Sequence, residues 1–279
     1  MIDAPPVRRL LLGAALRRYR ENLGFVLDDA ARVLECDRSK ISRIETGQRG
    51  IRPKELRELR ELLTEYGVGE QEQSALATIA QAGRRGNWPP YCDDAIPGPY
   101  QEYLALEQAA SDIFAYDPQH IPDLLQTPQY ALATMAADPS LPADAAQGML
   151  AEPKLSRQQV LVQRRPRLTA LIGEAALRQV TGDPEVMRDQ LNVLAVARER
   201  IVVHVLPSGS GAPSSGPATI LRFAGIPSLG AVYLPGLSGG ICLAGQQDVT
   251  SYTRAFEHLR ASALTPAASA RLIRAIAAG

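Results

Sequence analysis

The sequence predicts a multidomain protein: an all-α N-terminal domain of five helices, then an α+β C-terminal domain with a small sheet flanked by helices. Three observations predict this. Residues 8–82 carry successive apolar stripes of helical period, separated by glycines. Residues 84–99 are interrupted by Gly86, Pro89, Pro90, Pro97 and Pro99, so no helix continues through them. Beyond residue 100, helical patterns bracket short apolar runs bounded by Gly or Pro. The boundaries that follow are 1–83, a connector over 84–99, and 100–279. A chain of 279 residues has room for two ordinary domains and not three.

In the first domain, Leu12, Leu16, Tyr19 and Leu23 fall on one helical face, and Gly24 stops that helix. A second helix over about Asp28–Leu34 buries Ala30, Ala31 and Leu34. Asp37 caps a third, Arg38–Thr46, which buries Ile41 and Ile44 and ends at Gly47. Pro53 starts a fourth carrying Leu56, Leu59, Leu63 and Tyr66, and a fifth runs over about Glu70–Ala82. In the second domain, helical patterns lie at Tyr100–Phe114, Pro128–Ala136, Asp144–Gln163, Pro184–Arg198, Val249–Leu264 and Pro266–Ala278. Strand patterns lie at Leu168–Gly173, Ile201–Leu206, Ala218–Phe223, Gly230–Leu234 and Gly240–Ala244. No period of about 20–50 residues repeats, which excludes a solenoid.

Charge narrows the function. The formal net charge is zero, excluding a uniformly basic coat protein, yet residues 1–54 hold 12 basic against 7 acidic residues. That asymmetry directs attention to phosphate contacts in the first domain. No apolar run approaches the roughly 20 residues of a membrane span, and the arginines mixed into the first 20 residues at 8, 9, 17, 18 and 20 leave no signal-peptide core. Three scattered cysteines without a CxxC predict neither a disulfide scaffold nor a zinc ribbon. The expectation is a cytoplasmic, nucleoid-associated protein without membrane contact.

The stretch Leu27–Gly47 carries the most information. A short helix, a break at Glu35-Cys36-Asp37 and a second short helix form the layout of a helix-turn-helix. In the second helix, Ile41 and Ile44 point inward, while Arg38, Ser39, Lys40, Ser42 and Arg43 make a polar face without an acid. Arginine forks to guanine O6 and N7, and serine and lysine reach bases or backbone. Glu45, at the far end, is placed to brace a neighbouring arginine. Arg49, Arg52 and Lys54 follow closely and suit phosphate clamping as well as they suit ordinary surface charge. The predicted partner is double-stranded operator DNA.

Leu16-Arg17-Arg18-Tyr19-Arg20 through Ile41-Ser42-Arg43-Ile44-Glu45-Thr46-Gly47 closely resembles the XRE, or lambda-repressor-like, helix-turn-helix family over about residues 8–67. Two departures stand out. Val26 and Leu27 replace the family's usual Ser/Thr cap and Gln, and Glu35 replaces the usual turn glycine, which asks a non-glycine residue to accept strain. Further on, Ile121-Pro122-Asp123-Leu124-Leu125-Gln126-Thr127-Pro128, Gly173-Glu174-Ala175-Ala176-Leu177, Val205-Leu206-Pro207 and Val232-Tyr233 through Gly239-Gly240 occur in order. They resemble the C-terminal domain of antitoxin-like XRE regulators of filamentous actinobacteria over about 100–276. That resemblance implies a small protein partner. The chain departs from it at Asp123, Ser208, Pro213 and Pro235.

Other candidate sites weigh little. Ser208–Gly216 lacks phosphate-loop spacing, the histidines 120, 204 and 258 are far apart, and no GxSxG or HExxH occurs. No catalytic residue, metal or cofactor is expected, and nothing requires an enzyme. A DNA-tethered enzyme therefore ranks behind two other readings: a transcriptional regulator whose C-terminal domain senses a small molecule, or one whose C-terminal domain binds a partner protein. The alternative is an antitoxin-like protein whose main role is holding a small cognate partner, with DNA binding for autoregulation. An effector or partner is expected near Gln126, Thr127 and Tyr130 or at Tyr233, where polar groups recur among apolar ones; capping and core filling explain the same residues equally simply. A homodimer is expected, with Phe256, Leu259, Leu264, Leu272 and Ile276 contributing to the two-fold contact, although part of that stripe must also cover the domain's own sheet.

Overall fold

A computed structural model describes residues 6–81, 98–137, 157, 161, 165–196, 198–210, 216–224, 229–237 and 239–279. Most of the connector, with Trp88 and Cys92, and nearly all of the helical pattern at Asp144–Gln163 lie outside the described residues.

Five helices build the first domain: α1 (Val7–Asn22), α2 (Leu27–Val33), α3 (Arg38–Glu45), α4 (Leu56–Glu65) and α5 (Glu70–Gln81). The stripes identified from periodicity turn inward, except that Leu23, past the end of α1, is exposed and Tyr19, Leu34 and Leu56 are half-buried. Leu11, Leu12, Leu16, Ile41, Ile44, Leu59, Leu63, Leu76 and Ile79 form one buried cluster. Asp37 caps α3 by accepting the Ser39 N–H at 2.7 Å. Glu35 adopts a left-handed φ of 46°, the strain expected where the turn lacks glycine. Gly13 is required by close approach: a Cβ there would collide with the carbonyls of Ile44 and Glu45, so α1 crosses the end of α3 in direct backbone contact.

The second domain begins with α6 (Gly98–Glu107) and centres on a six-stranded sheet. Its strands are β1 (Asp112–Asp117), β2 (Arg167–Gly173), β3 (Ile201–Leu206), β4 (Ala218–Arg222), β5 (Gly230–Leu234) and β6 (Ile241–Leu243), ordered β3-β2-β1-β4-β5-β6. The β1–β2 and β2–β3 pairs are parallel, and the β1–β4, β4–β5 and β5–β6 pairs are antiparallel. The helices α7 (Pro128–Ala136), α8 (Glu174–Arg178), α9 (Pro184–Leu194), α10 (Gln246–Ala261) and α11 (Pro266–Ala277) complete the described part of the domain.

Alternation along the strands divides the core. Ile113, Ala115, Leu168, Ala170, Leu221 and Ala231 share one face and pack with Leu104 and Leu106 of α6, Met187 and Leu191 of α9 and Ile273 of α11. Leu171, Ile220 and Val232 point to the other face and meet Val249, Phe256 and Leu259 of α10.

Two sequence expectations need correction. The single helix at Tyr100–Phe114 is a helix that ends at Glu107, followed by β1, which is a central strand of the sheet. The alanine-rich run before it has helical composition, and no Gly or Pro marks the change. What ends the helix is tertiary: Ser111 N–H donates to the Arg222 carbonyl and the Ser111 carbonyl accepts from Arg167 N–H, both at 2.9 Å. The second correction narrows the C-terminal apolar stripe, part of which was expected to cover the sheet. Phe256 and Leu259 are buried on the chain's own sheet, so neither is free for a contact between protomers.

Candidate nucleic-acid interface

The recognition surface begins with the way α3 is fixed. Ile41 and Ile44 anchor its inner side, and Glu45 is held by Arg20 from α1, whose Nε and Nη2 donate to its two carboxylate oxygens at 2.7 and 2.9 Å. Arg20 Nη1 also donates to the Phe25 carbonyl at 2.7 Å, so this buried guanidinium ties α1, the α1–α2 turn and α3 together. Glu45 braces an arginine, as its position suggested.

With the inner side fixed, Arg38, Ser39 and Arg43 face solvent and Ser42 is half-buried beside them. Arg38 lies 3.9 Å from Asp28, with both side chains largely exposed, an arrangement that leaves the guanidinium free to exchange partners. Arg43 folds back on Ser39, donating from Nε to its carbonyl at 3.2 Å. Lys40 is placed differently. Its ammonium donates to Glu58 of α4 at 2.5 Å and lies 3.8 Å from Glu55, which turns it from the exposed face towards α4.

Arg49, Arg52 and Arg43 join Arg8 and Arg9 of α1 around a concavity of about 470 Å³. Arg52 and Lys54 are exposed. Arg49 is hydrogen-bonded to Glu55, whose other oxygen accepts the Arg52 N–H at 2.8 Å. Burial would raise the Glu55 pKa, and the Arg52 N–H and the Arg49 charge overcome this to hold it below the usual range. The structure thus adds Arg8 and Arg9 to the basic surface. The adjacent pair Arg8-Arg9 was visible in the sequence, but only the packing of α1 against the segment after α3 brings it there.

Arg8 has a second partner. Its N–H donates at 2.6 Å to Glu102 Oε1, and its guanidinium donates to the other oxygen of the same carboxylate. No side chain caps the N-terminus of α1 from within the helix, so a carboxylate from α6 performs that role across the domain boundary.

In the second domain the four residues singled out from sequence separate. Gln126 is buried, and its Nε2 donates to the Ile121 carbonyl at 2.7 Å and to Asp123 at 3.1 Å. Thr127 caps α7 through the Tyr130 N–H, and its own N–H donates to Gln190 at 2.5 Å. Tyr130 is fully buried in the core. Gln126 and Thr127 also border an open groove of about 550 Å³ with Arg165, Arg198 and Arg200. Tyr233 lies elsewhere, stacked on Tyr103 with ring centroids 4.1 Å apart and planes 11° from parallel.

Beside that stack lies a cavity of about 120 Å³ between the β1 face and its cover, reached by Asp117, Asp123, Arg157, Tyr103, Tyr116 and Tyr233. Arg157 is the buried hub of this region. Its Nε and Nη2 donate to Glu107 at 2.9 and 2.7 Å, Nη1 to Asp123 and the Tyr100 hydroxyl at 2.6 Å each, and Nη2 to the Tyr103 hydroxyl at 3.0 Å. All five guanidinium N–H groups are therefore used. Burial alone would lower the Arg157 pKa, and Glu107, the two tyrosines and Asp123 instead hold it well above the ordinary value. Sequence reasoning missed Arg157 because its partners come from positions 34 to 57 residues away.

The fold and the acid-free face of α3 define a DNA-binding helix-turn-helix protein, and a helix-turn-helix domain family matches residues 11–76. A second family, the domain of unknown function DUF5753, matches residues 100–275, more than half of the chain, and the protein belongs to that family. No curated protein and no solved structure matches the chain. Among the described residues no helix is long and apolar enough to cross a membrane.

Proposed function

We propose that the protein is a cytoplasmic transcriptional regulator, not an enzyme, that binds operator DNA as a homodimer under the control of its C-terminal domain. The observation that carries this reading is the continuity between α3's exposed Arg38, Ser39 and Arg43 and the concavity lined by Arg8, Arg9, Arg49 and Arg52. The first set suits base edges and the second suits the flanking phosphates. Ser42 and Lys54 extend these two sets, while Lys40 orients α4 through Glu58. A homodimer follows from economy of contact: one short helix reaches only a few base pairs, and two, one helical turn apart, supply the specificity a regulator needs.

For control, the cavity beside Tyr103 and Tyr233 supports a small-molecule effector over a partner protein, because a recess of about 120 Å³ admits only a compact ligand. The test is the salt dependence of binding to duplex DNA. The full chain should bind with a steep negative slope of log affinity against log salt, and Arg52→Ala should reduce that slope by about 1. Salt-independent binding, or none, would remove the reading.

A further inference from the structure

We propose that the cavity between Tyr103, Tyr116, Tyr233 and Asp117 is an effector site for a small organic ammonium compound, and that α6 carries its occupancy to the DNA-binding domain through Glu102. The inference deepens the regulatory reading and rests on it. At about 120 Å³ the cavity is close to the roughly 150 Å³ that admits benzene in an engineered protein, so it suits a ligand with one small ring or its equivalent.

The charge of the ligand follows from which groups are already engaged. Arg157 has no N–H left to offer an anion, because Glu107, Asp123 and the Tyr100 and Tyr103 hydroxyls take all five. Among the described residues, Glu107, Asp123 and Asp117 then stand against that one guanidinium, an excess of negative charge. Asp117 Oδ1 accepts the N–H groups of Gln119 and His120 at 2.9 and 2.8 Å, whereas Oδ2 accepts no hydrogen bond among the described residues. His120 approaches to 3.8 Å but is itself largely exposed. Burial, with a smaller contribution from the Asp123 charge, raises the Asp117 pKa despite those two N–H bonds and the His120 charge.

The same helix makes both connections. Tyr103 of α6 stacks on Tyr233 at the cavity, Glu107 one turn later grips Arg157, and Glu102, immediately before Tyr103, holds Arg8 and the α1 N-terminus. A shift of α6 on ligand binding alters whether Arg8 is held by Glu102 or turned to DNA phosphate. An effector acts by this difference in interaction with the two arrangements.

The experiment titrates full-length protein by calorimetry with benzylamine, benzyl alcohol and benzoate, then repeats DNA binding with each present. Benzylammonium should bind at least tenfold tighter than its neutral and anionic counterparts. Asp117→Asn, which keeps the oxygen that accepts the two N–H groups, should abolish that preference while the variant still melts cooperatively. Benzylammonium should change wild-type DNA affinity by about fivefold or more, within the range of ordinary allosteric coupling. In Glu102→Gln the amine should still bind but leave DNA affinity unchanged.

Equal or tighter binding of benzyl alcohol or benzoate, or an amine preference that survives Asp117→Asn, would overturn the site. Amine binding that leaves wild-type DNA affinity unchanged would overturn the route through α6. Failure of the regulatory reading appears separately, as a wild-type protein that does not bind DNA although its calorimetry is intact.

Discussion

Arg38 and Arg43 project from an α3 whose inner face is fixed by Ile41, Ile44 and the Arg20–Glu45 pair, so their guanidinium groups are carried on a rigid support. Replacing either with Ala should cost about 1–3 kcal/mol on the operator and relax specificity, whereas Arg52→Ala should weaken all duplexes alike. Lys40→Ala should act mainly on stability, read as a fall in melting temperature, because its partner is Glu58. The acid-free face was legible in the sequence because helical period alone assigns it. The turning of Lys40 was not, since Glu58 lies on α4 and only tertiary packing brings the two together.

Asp117 supplies a residue-scale test with a definite sign. Burial raises its folded-state pKa, so the folded chain holds the proton more tightly than the unfolded chain. Stability therefore falls as pH rises from the unfolded value through the folded one, and the charged carboxylate remains a burden above it. Without ligand, Asp117→Asn should melt no lower than wild type at pH 7, and any advantage should shrink on acidification. A variant less stable at pH 7 would refute this account of Asp117.

Among the elements, α1 touches most of what matters. Gly13 lets it cross α3 at backbone contact, and Gly13→Ala should cost about 1–3 kcal/mol, the typical penalty for overfilling a packed core, measured by denaturant unfolding. Arg157→Met leaves Glu107 buried without its cation and should cost about 3–5 kcal/mol. The helices of the first domain were readable because each has its own apolar stripe, cap and stop, as with Asp37 before α3 and Gly47 after it. The strand β1 was not readable. Its identity depends on pairing with β2, more than fifty residues later, and β4, more than a hundred later, and no local turn signal announces it.

At the scale of the whole molecule, two domains meet where Glu102 of α6 caps α1, so the arrangement of the sheet domain bears directly on the basic concavity. The sequence shows a break at 84–99 and thereby two units, but it gives no sign that their contact is a carboxylate on a helix terminus. The C-terminal stripe illustrates the converse. Its apolar residues were plain, yet Phe256 and Leu259 cover the chain's own sheet, while Leu264, Leu272 and Ile276 stay half-buried.

The central claim is that α3 reads sequence, and selection of bound duplexes from a random-sequence library by the full-length protein tests it most directly. The account predicts enrichment of one motif with two related half-sites about 10–10.5 base pairs apart, and loss of that enrichment in the Arg38→Ala, Arg43→Ala double variant. Recovery of no motif, or of the same motif by the double variant at undiminished strength, would contradict it.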